Sequence, residues 1–257
     1  MRLRKLTLRR VKIPLRTAIA NSRNIPALKI AQQTGIETVI EYARRFGVTS
    51  PLPAVLPLAL GSAEVTLFEQ TAAFTTFPND GVRVTPRYIR KVTDYDGHVR
   101  EENYPEVKDV VGVKTARIMT SLLQSVVQQG TAREALKLKH PLGGKSGTTN
   151  DFTDAWFVGF SPSVTCGVWV GFDEKKTLGP KETGSLAALP IWINFMKTAL
   201  QGRDNENFAS PNDEVPAPEL GMKVAKSGGT APTVPAAVSA PADANHASLP
   251  PKKSPGM

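Results

Sequence analysis

The chain has 257 residues, with 32 Lys and Arg against 23 Asp and Glu, and a formal net charge of +9. A single cysteine, Cys166, excludes a module held together by intrachain disulfides. The three histidines, His98, His140 and His246, do not stand at a recognised metal-ligand spacing from an acid, a cysteine or one another, so we expect no metal site.

The basic excess is concentrated at the start of the chain. Residues 1–16 contain seven Lys or Arg and no acid, and the remainder has 25 bases against 23 acids. Like-charge runs of this kind predict a solvated leader, and the balanced remainder makes nucleic acid an unexpected partner. Residues 1–16 lack the apolar segment of a signal peptide, and the longest uncharged stretch, 46–63, contains three prolines. We therefore predict neither a targeting signal nor a membrane anchor in this chain.

Helical and turn signals dominate the first half of the chain. Apolar residues at helical spacing between 36 and 46 predict a helix. Thr66 and Glu69 have the spacing of a capping box, which predicts the start of a second helix. Residues 82–103 predict short strands, with Asp96-Gly97 as a hairpin turn.

Longer elements follow in the second half. Apolar residues at helical spacing between 118 and 127 predict a strongly amphipathic helix. Two β-rich runs, 154–160 and 166–172, predict an antiparallel hairpin in which Cys166 is a small apolar residue. An apolar stripe over 191–200 predicts a closing helix. Helices followed by consecutive strands and a last helix indicate an α+β fold with an antiparallel sheet packed between helices.

The composition changes again after the last predicted helix. Residues 211–257 contain nine prolines, nine alanines and no aromatic residue. Such a segment can bury little surface against the entropy of ordering it, so residues 203–257 are predicted to form a Pro/Ala-rich disordered tail. The folded part is therefore expected over residues 17–202, between the basic leader of residues 1–16 and this tail.

The segment Lys145-Ser146-Gly147-Thr148-Thr149 is the best candidate for chemistry. It is not a phosphate-binding loop, because the position that needs a glycine is Lys139 and because a strand follows it where a helix is required. A strand edge of this composition offers an ammonium group, hydroxyls and backbone donors in one short row. The glycine lets a ligand come close to the backbone, and an extended peptide with a terminal carboxylate could add along the edge.

A second segment, Asn21-Ser22-Arg23-Asn24, contains a Ser-x-Asn triplet. Ser-x-Asn and Lys-Ser-Gly together are two of the three motifs of penicillin-interacting serine enzymes. Over about residues 14–200 the chain resembles the transpeptidase domain of class A penicillin-binding proteins, the bifunctional peptidoglycan synthases. The matching segments are 15–27, 58–66, 79–83, 144–150, 154–162, 167–171 and 188–192. The resemblance implies a β-lactamase/transpeptidase-like fold that is incomplete at its N-terminal side.

The resemblance also implies two catalytic residues. Ser22 is similar to the serine that relays a proton between the leaving group and the general base. Lys145 corresponds to the lysine whose charge favours the substrate carboxylate and tunes the Ser22 hydroxyl.

The substrate-binding positions follow in the same way. Asn24 matches the amide that binds the substrate backbone, and Ser146 keeps the hydroxyl of the commoner threonine beside Gly147. Thr148 aligns with the residue whose N–H completes the oxyanion hole and whose hydroxyl meets the carboxylate.

One motif of the family is missing. No Ser-x-x-Lys occurs in these 257 residues, although in the family it supplies the acylated serine and its lysine base. We therefore expect a C-terminal fragment that is inactive alone, whose nucleophile and glycosyltransferase domain precede Met1. The full-length protein would be a serine-type D-Ala-D-Ala transpeptidase of the cell envelope, at the outer face of the cytoplasmic membrane. It would need no cofactor or metal, and its partners would be stem peptides and β-lactams.

Two alternatives remain open from the sequence. The first is a non-catalytic module that binds stem peptides or β-lactams along the Lys145 edge without turnover. The second is a β-lactam hydrolase of the same superfold, against which the long proline-rich tail and the synthase-like segments count.

Overall fold

A computed structural model of the protein describes residues 13–214. Within them the α-helices are α1 (Leu15–Ala20), α2 (Asn24–Thr34), α3 (Ile36–Arg45), α4 (Leu67–Thr75), α5 (Val113–Gln129) and α6 (Leu189–Ala199). The strands are β1 (Val82–Val84), β2 (Lys91–Thr93), β3 (Val99–Glu102), β4 (Val107–Asp109), β5 (Gly143–Thr148), β6 (Asp154–Phe160) and β7 (Thr165–Gly171). Short 3₁₀ turns lie at Leu56–Leu60 and Arg133–Leu138, and a single π-helical turn lies at Gly184–Ala188.

The main sheet is antiparallel, in the strand order β5-β6-β7, and the predicted β6–β7 hairpin is confirmed. β1 pairs with β4 and β2 pairs with β3, both antiparallel, in two small two-stranded sheets. In the described part of the chain β5 is therefore an edge strand, with Lys145 opposite Val158 and Gly147 opposite Trp156. The α+β fold class predicted from the sequence is confirmed.

Helices cover both faces of the main sheet. Lys145, Val158 and Gly167 are direct cross-strand neighbours, so their side chains share one face. α4 lies on that face, because a Cβ built on Gly167 would collide with the Thr71 hydroxyl.

The opposite face of the sheet packs on α6. Phe157 contacts Trp192 edge to face, with ring centroids 5.0 Å apart, and both rings are fully buried. The Trp192 indole N–H donates to the Cys166 carbonyl at 3.0 Å, so the one polar atom of this large ring is satisfied inside the core.

The predicted capping box at the start of α4 is confirmed. Thr66 Oγ1 accepts from the Glu69 N–H at 3.1 Å, and the Glu69 carboxylate accepts from the Thr66 N–H at 3.2 Å. Glu69 is buried and also accepts from the Ser50 hydroxyl at 2.5 Å and from the Thr49 N–H at 2.6 Å. Donors from Ser50 and Thr49 lower the pKa of Glu69, and they attach the segment that follows α3 to the start of α4.

The basic leader ends earlier than residue 16, because a helix begins at Leu15. Leu15 and Arg16, which we placed in the leader of residues 1–16, begin α1 instead. The Arg16 guanidinium donates to the Ser121 carbonyl at 2.7 Å and to the Ser125 hydroxyl at 2.7 Å, and so attaches α1 to α5. Residues 1–12 of the leader lie outside the described part.

The first residues of the predicted tail contact the folded part of the chain. Residues 203–214 follow a defined path after α6, because Phe208 packs edge to face on Phe160 with ring centroids 5.7 Å apart. Arg117, which is 4% exposed and paired with Asp80 at 2.7 Å, donates to the Asp213 carbonyl at 2.9 Å. The rest of the predicted tail, residues 215–257, lies outside the described part.

Among residues 13–214, no helix combines the length and the apolar character needed to cross a bilayer.

Candidate active site

Ser22 lies in the tight turn between α1 and α2. Its φ of +51° is in the left-handed region, which a residue with a side chain seldom adopts. The turn is held by the Ser22 N–H, which donates to the Ile19 carbonyl at 3.1 Å, and by the Arg23 N–H, which donates to the Ala18 carbonyl at 2.9 Å. These two hydrogen bonds hold the left-handed backbone in place and so fix the position from which the Ser22 side chain extends.

Lys145 on β5 brings the two motifs together. Its Nζ donates to Ser22 Oγ at 2.8 Å across 123 residues of sequence, and to the Ser146 carbonyl at 2.8 Å. An ammonium group has three N–H bonds, so one remains for a ligand. Because Ser22 Oγ accepts from Lys145, the Ser22 hydroxyl can donate its own proton elsewhere.

The Lys145 side chain lies largely out of water. This burial lowers the pKa of Lys145 from 10.5 to about 8, because desolvation disfavours the charged form. At neutral pH the group is still mostly an ammonium, but it gives up its proton far more readily than an ordinary lysine.

Ser146 is held from outside the strand. Its Oγ lies 3.1 Å from Thr131 Oγ1, just beyond the end of α5, and the Thr131 N–H donates to the Ala20 carbonyl at 3.1 Å. Gly130 also abuts this carbonyl, and a Cβ built on it would collide with the Ala20 oxygen. Gly130 and Thr131 therefore connect β5 to the helix that precedes Ser22.

Gly147 and Thr148 form the outer end of the same strand. A Cβ built on Gly147 would lie 3.2 Å from Trp156 Cβ, so glycine keeps this stretch of edge free of bulk. Thr148 is exposed, and its Oγ1 accepts the Gly184 N–H at 3.0 Å. The next residue, Thr149, accepts the Asp154 N–H at 2.9 Å through its hydroxyl and shapes the turn into β6.

Asn24 is the one predicted site residue that does not join this cluster. It is the first residue of α2 and is exposed. Its amide has no hydrogen-bond partner among residues 13–214. The structure thus brings Ser22, Lys145 and Ser146 into one connected group, with Thr148 further along the same strand edge.

One histidine does lie close to acidic side chains, although its spacing from them in the sequence is not that of a recognised metal-ligand motif. Asp94, Asp96 and His98 meet in the β2–β3 turn, with ligand atoms within 4.8 Å of one another. The Arg100 guanidinium, however, lies 2.9 Å from the Asp94 carboxylate, and the backbone N–H of His98 donates to the same carboxylate at 2.8 Å. The guanidinium already supplies the positive charge that a cation would bring, so we interpret the group as a salt-bridged turn.

Sequence reasoning missed three residues that support the site. Thr131 contacts Ser146, Gly184 contacts Thr148, and Arg16 anchors the helix that leads to Ser22. No local pattern marked Thr131 or Gly184, and Arg16 counted only as one of the bases of the leader. Each of the three acts through contacts over long sequence separations, which periodicity and short motifs do not encode.

Comparisons with known proteins identify the family of the chain. The family profile described as the penicillin binding protein transpeptidase domain matches residues 7–196, and thus starts inside the basic leader, before the resemblance at about residue 14. The chain is 43% identical to penicillin-binding protein 1A of Aquifex aeolicus over 203 residues, covering 79% of this chain and 28% of that protein. Identity to penicillin-binding protein 1A of Neisseria meningitidis (serogroup A) is 39% over 210 residues, covering 79% and 26%.

A solved structure shows the same fold. The crystal structure of penicillin-binding protein 1A from Haemophilus influenzae matches with a TM-score of 0.73 at 28% identity, covering 78% of this chain and 36% of that one. The chain thus spans only 26–28% of the length of these two curated relatives.

Proposed function

The chain belongs to the transpeptidase-domain family of penicillin-binding proteins, and from that premise we propose that it is the C-terminal part of a D,D-transpeptidase domain in a class A synthase. It would take part in cross-linking peptidoglycan stem peptides by serine acyl transfer. The observation that carries the proposal is the 2.8 Å hydrogen bond from Lys145 Nζ to Ser22 Oγ beside an edge strand. Family membership favours this function over a binding module without turnover.

The Lys145–Ser22 pair is suited to move a proton to a leaving amine. In the acylation step, a serine oxygen bonds to the carbonyl carbon of the penultimate D-Ala, and the C–N bond to the last D-Ala breaks. The departing nitrogen needs a proton, which the Ser22 hydroxyl can donate because its oxygen accepts from Lys145. The proton is replaced from the general base that deprotonated the nucleophile, so no net charge is created.

The same edge is suited to hold the peptide. An extended stem peptide can pair with the unpaired outer edge of β5, and Gly147 permits the close approach. The third N–H of Lys145 and the Thr148 hydroxyl would then meet the terminal carboxylate, while the Thr148 N–H completes an oxyanion hole. The exposed Asn24 amide would bind the peptide backbone from the α2 side.

The acylated serine is the missing part. These 257 residues contain no Ser-x-x-Lys. We infer that the nucleophile and its lysine base belong to a part of the protein outside these residues. We propose that the whole protein is an enzyme of the cell envelope, as its likeness to proteins named penicillin-binding protein 1A implies.

Two measurements test these proposals separately. Intact mass after incubation with a β-lactam should show no adduct on this chain, and a stoichiometric adduct would overturn the claim that it is inactive alone. In a longer polypeptide that carries Ser-x-x-Lys, Lys145→Ala should slow acylation by about 100-fold or more. An unchanged acylation rate would refute the role of Lys145.

A further inference from the structure

Gly184 contacts the substrate edge of β5 although it lies 36 residues beyond it. It is buried at the start of the π-helical turn Gly184–Ala188. A Cβ built on it would lie 2.5 Å from the Gly147 carbonyl oxygen and would collide with the Trp156 carbonyl oxygen. Neither neighbour is a flexible side chain that could move aside, so only glycine fits here.

The position allows Gly184 to make one directed hydrogen bond. Its N–H donates to Thr148 Oγ1 at 3.0 Å. A threonine hydroxyl has one proton to donate and can accept through its lone pairs. Since Thr148 accepts from Gly184 and residues 13–214 offer its O–H no acceptor, the hydroxyl proton is left for a group outside this part of the chain.

We propose that Gly184 is a positioning residue that makes the Thr148 hydroxyl a hydrogen-bond donor toward the terminal carboxylate of the substrate. The inference rests on the proposed function, because it takes the stem peptide as the ligand of this edge. The accepted N–H both orients the hydroxyl and polarises it, and so strengthens the bond that it donates. Gly184 thereby helps the site distinguish a free carboxylate from a carboxamide, in which a neutral oxygen replaces the charged acceptor.

The discrimination can be measured by binding to this chain. The probes are N-acetyl-D-Ala-D-Ala and its C-terminal amide, titrated by calorimetry. In Gly184→Ala the preference for the acid over the amide should fall about tenfold, the loss expected for one hydrogen bond to a charged group. Thr148→Val should cause the same fall, Thr148→Ser should keep the preference, and Gly184→Ala should have no added effect on a Thr148→Val background.

A matched glycine serves as the control. A Cβ built on Gly112 meets nothing within 4 Å, and its φ of −63° suits any residue. Gly112→Ala should therefore leave the preference unchanged. If the new methyl of Gly184→Ala moves Gly147, the binding of the acid and of the amide should weaken equally. The ratio of the two affinities therefore reports only the contribution of the Thr148 hydroxyl.

The outcomes separate this inference from the function on which it rests. A wild-type preference that survives Gly184→Ala overturns the inference and leaves the function standing. A wild-type chain without any preference for the acid overturns the function, and the inference with it. If Gly184→Ala does not fold, amide exchange at Gly184 decides instead: Thr148→Val should accelerate it about tenfold, and an unchanged rate overturns the inference.

Discussion

The lowered pKa of Lys145 should make ligand affinity depend on pH in a range where an ordinary lysine would have no effect. Burial lowers this pKa from 10.5 to about 8. The ammonium is the group proposed to attract the ligand's carboxylate, and deprotonation removes that attraction. We therefore expect the affinity for N-acetyl-D-Ala-D-Ala to fall as the pH rises through the pKa of Lys145.

The size of the effect follows from a one-site titration. With a pKa of about 8, Lys145 is about 90% charged at about pH 7 and about 3% charged at about pH 9.5. If only the charged form binds, the apparent Kd rises about 30-fold over this interval. A lysine with the ordinary pKa of 10.5 would still be about 90% charged at about pH 9.5, and the Kd would hardly change.

Calorimetric titration at the two pH values measures this difference. The ligand carboxylate stays ionised throughout, and burial raises the pKa of Cys166 to about 11, above the window. Lys145→Arg should bind with little pH dependence because a guanidinium stays charged, and Lys145→Met should bind weakly at both values. A wild-type Kd that changes by less than about twofold, against the about 30-fold expected, would refute the assignment of Lys145 as the desolvated partner of the carboxylate.

Three further outcomes concern stability, each measured by urea unfolding. Between about pH 8 and 9 the unfolded chain holds a proton on Lys145 that the folded chain has lost, so the free energy of unfolding should rise with pH more steeply in the wild type than in Lys145→Met. Above about pH 9 the folded chain keeps the Cys166 proton that the unfolded chain loses, and this opposes the rise in both proteins. Glu69→Gln should destabilise the fold by about 1–3 kcal/mol, because an amide nitrogen cannot accept the bonds that the buried carboxylate oxygen accepts, whereas Glu37→Gln, at an exposed position, should have little effect. Asp80→Asn should lower the urea midpoint of unfolding, because it leaves the charge of Arg117, which is 4% exposed, without its partner. Glu134→Gln, which breaks the exposed Glu134–Lys137 pair, should lower the midpoint less, and equal midpoints in the two variants would contradict this reasoning.

Local patterns predicted most of the helices and strands. The Thr66–Glu69 capping box, the apolar stripe of α5 and the β6–β7 hairpin all come from contacts between residues close in sequence. Periodicity of 3.6 or 2 residues encodes which face is buried, and turn residues encode where an element ends. The family motifs added the identity of Ser22 and Lys145, because short motifs hold the chemistry in a few neighbouring residues.

Boundaries were predicted less well where a distant partner decides them. The sequence shows Arg16 only as one base in a basic run. In the structure it lies in α1 and donates hydrogen bonds to α5. The segment 203–214 has a tail-like composition, but Phe208 and the donors of the buried Arg117 hold it against the fold. Composition describes what a segment can bury by itself, and these two segments are ordered by surfaces that other elements provide.

The sequence by itself determined most of the secondary structure, the family and the two motif residues, Ser22 and Lys145, that the structure brings into contact. Only the tertiary structure decided that Lys145 Nζ lies 2.8 Å from Ser22 Oγ, that burial lowers the pKa of Lys145, and that Thr148 accepts from Gly184. Distances between residues far apart in sequence depend on how helices pack on a sheet, and burial depends on everything packed around a group. Reactivity at this site is a property of that packing, so it cannot be read from the motifs alone.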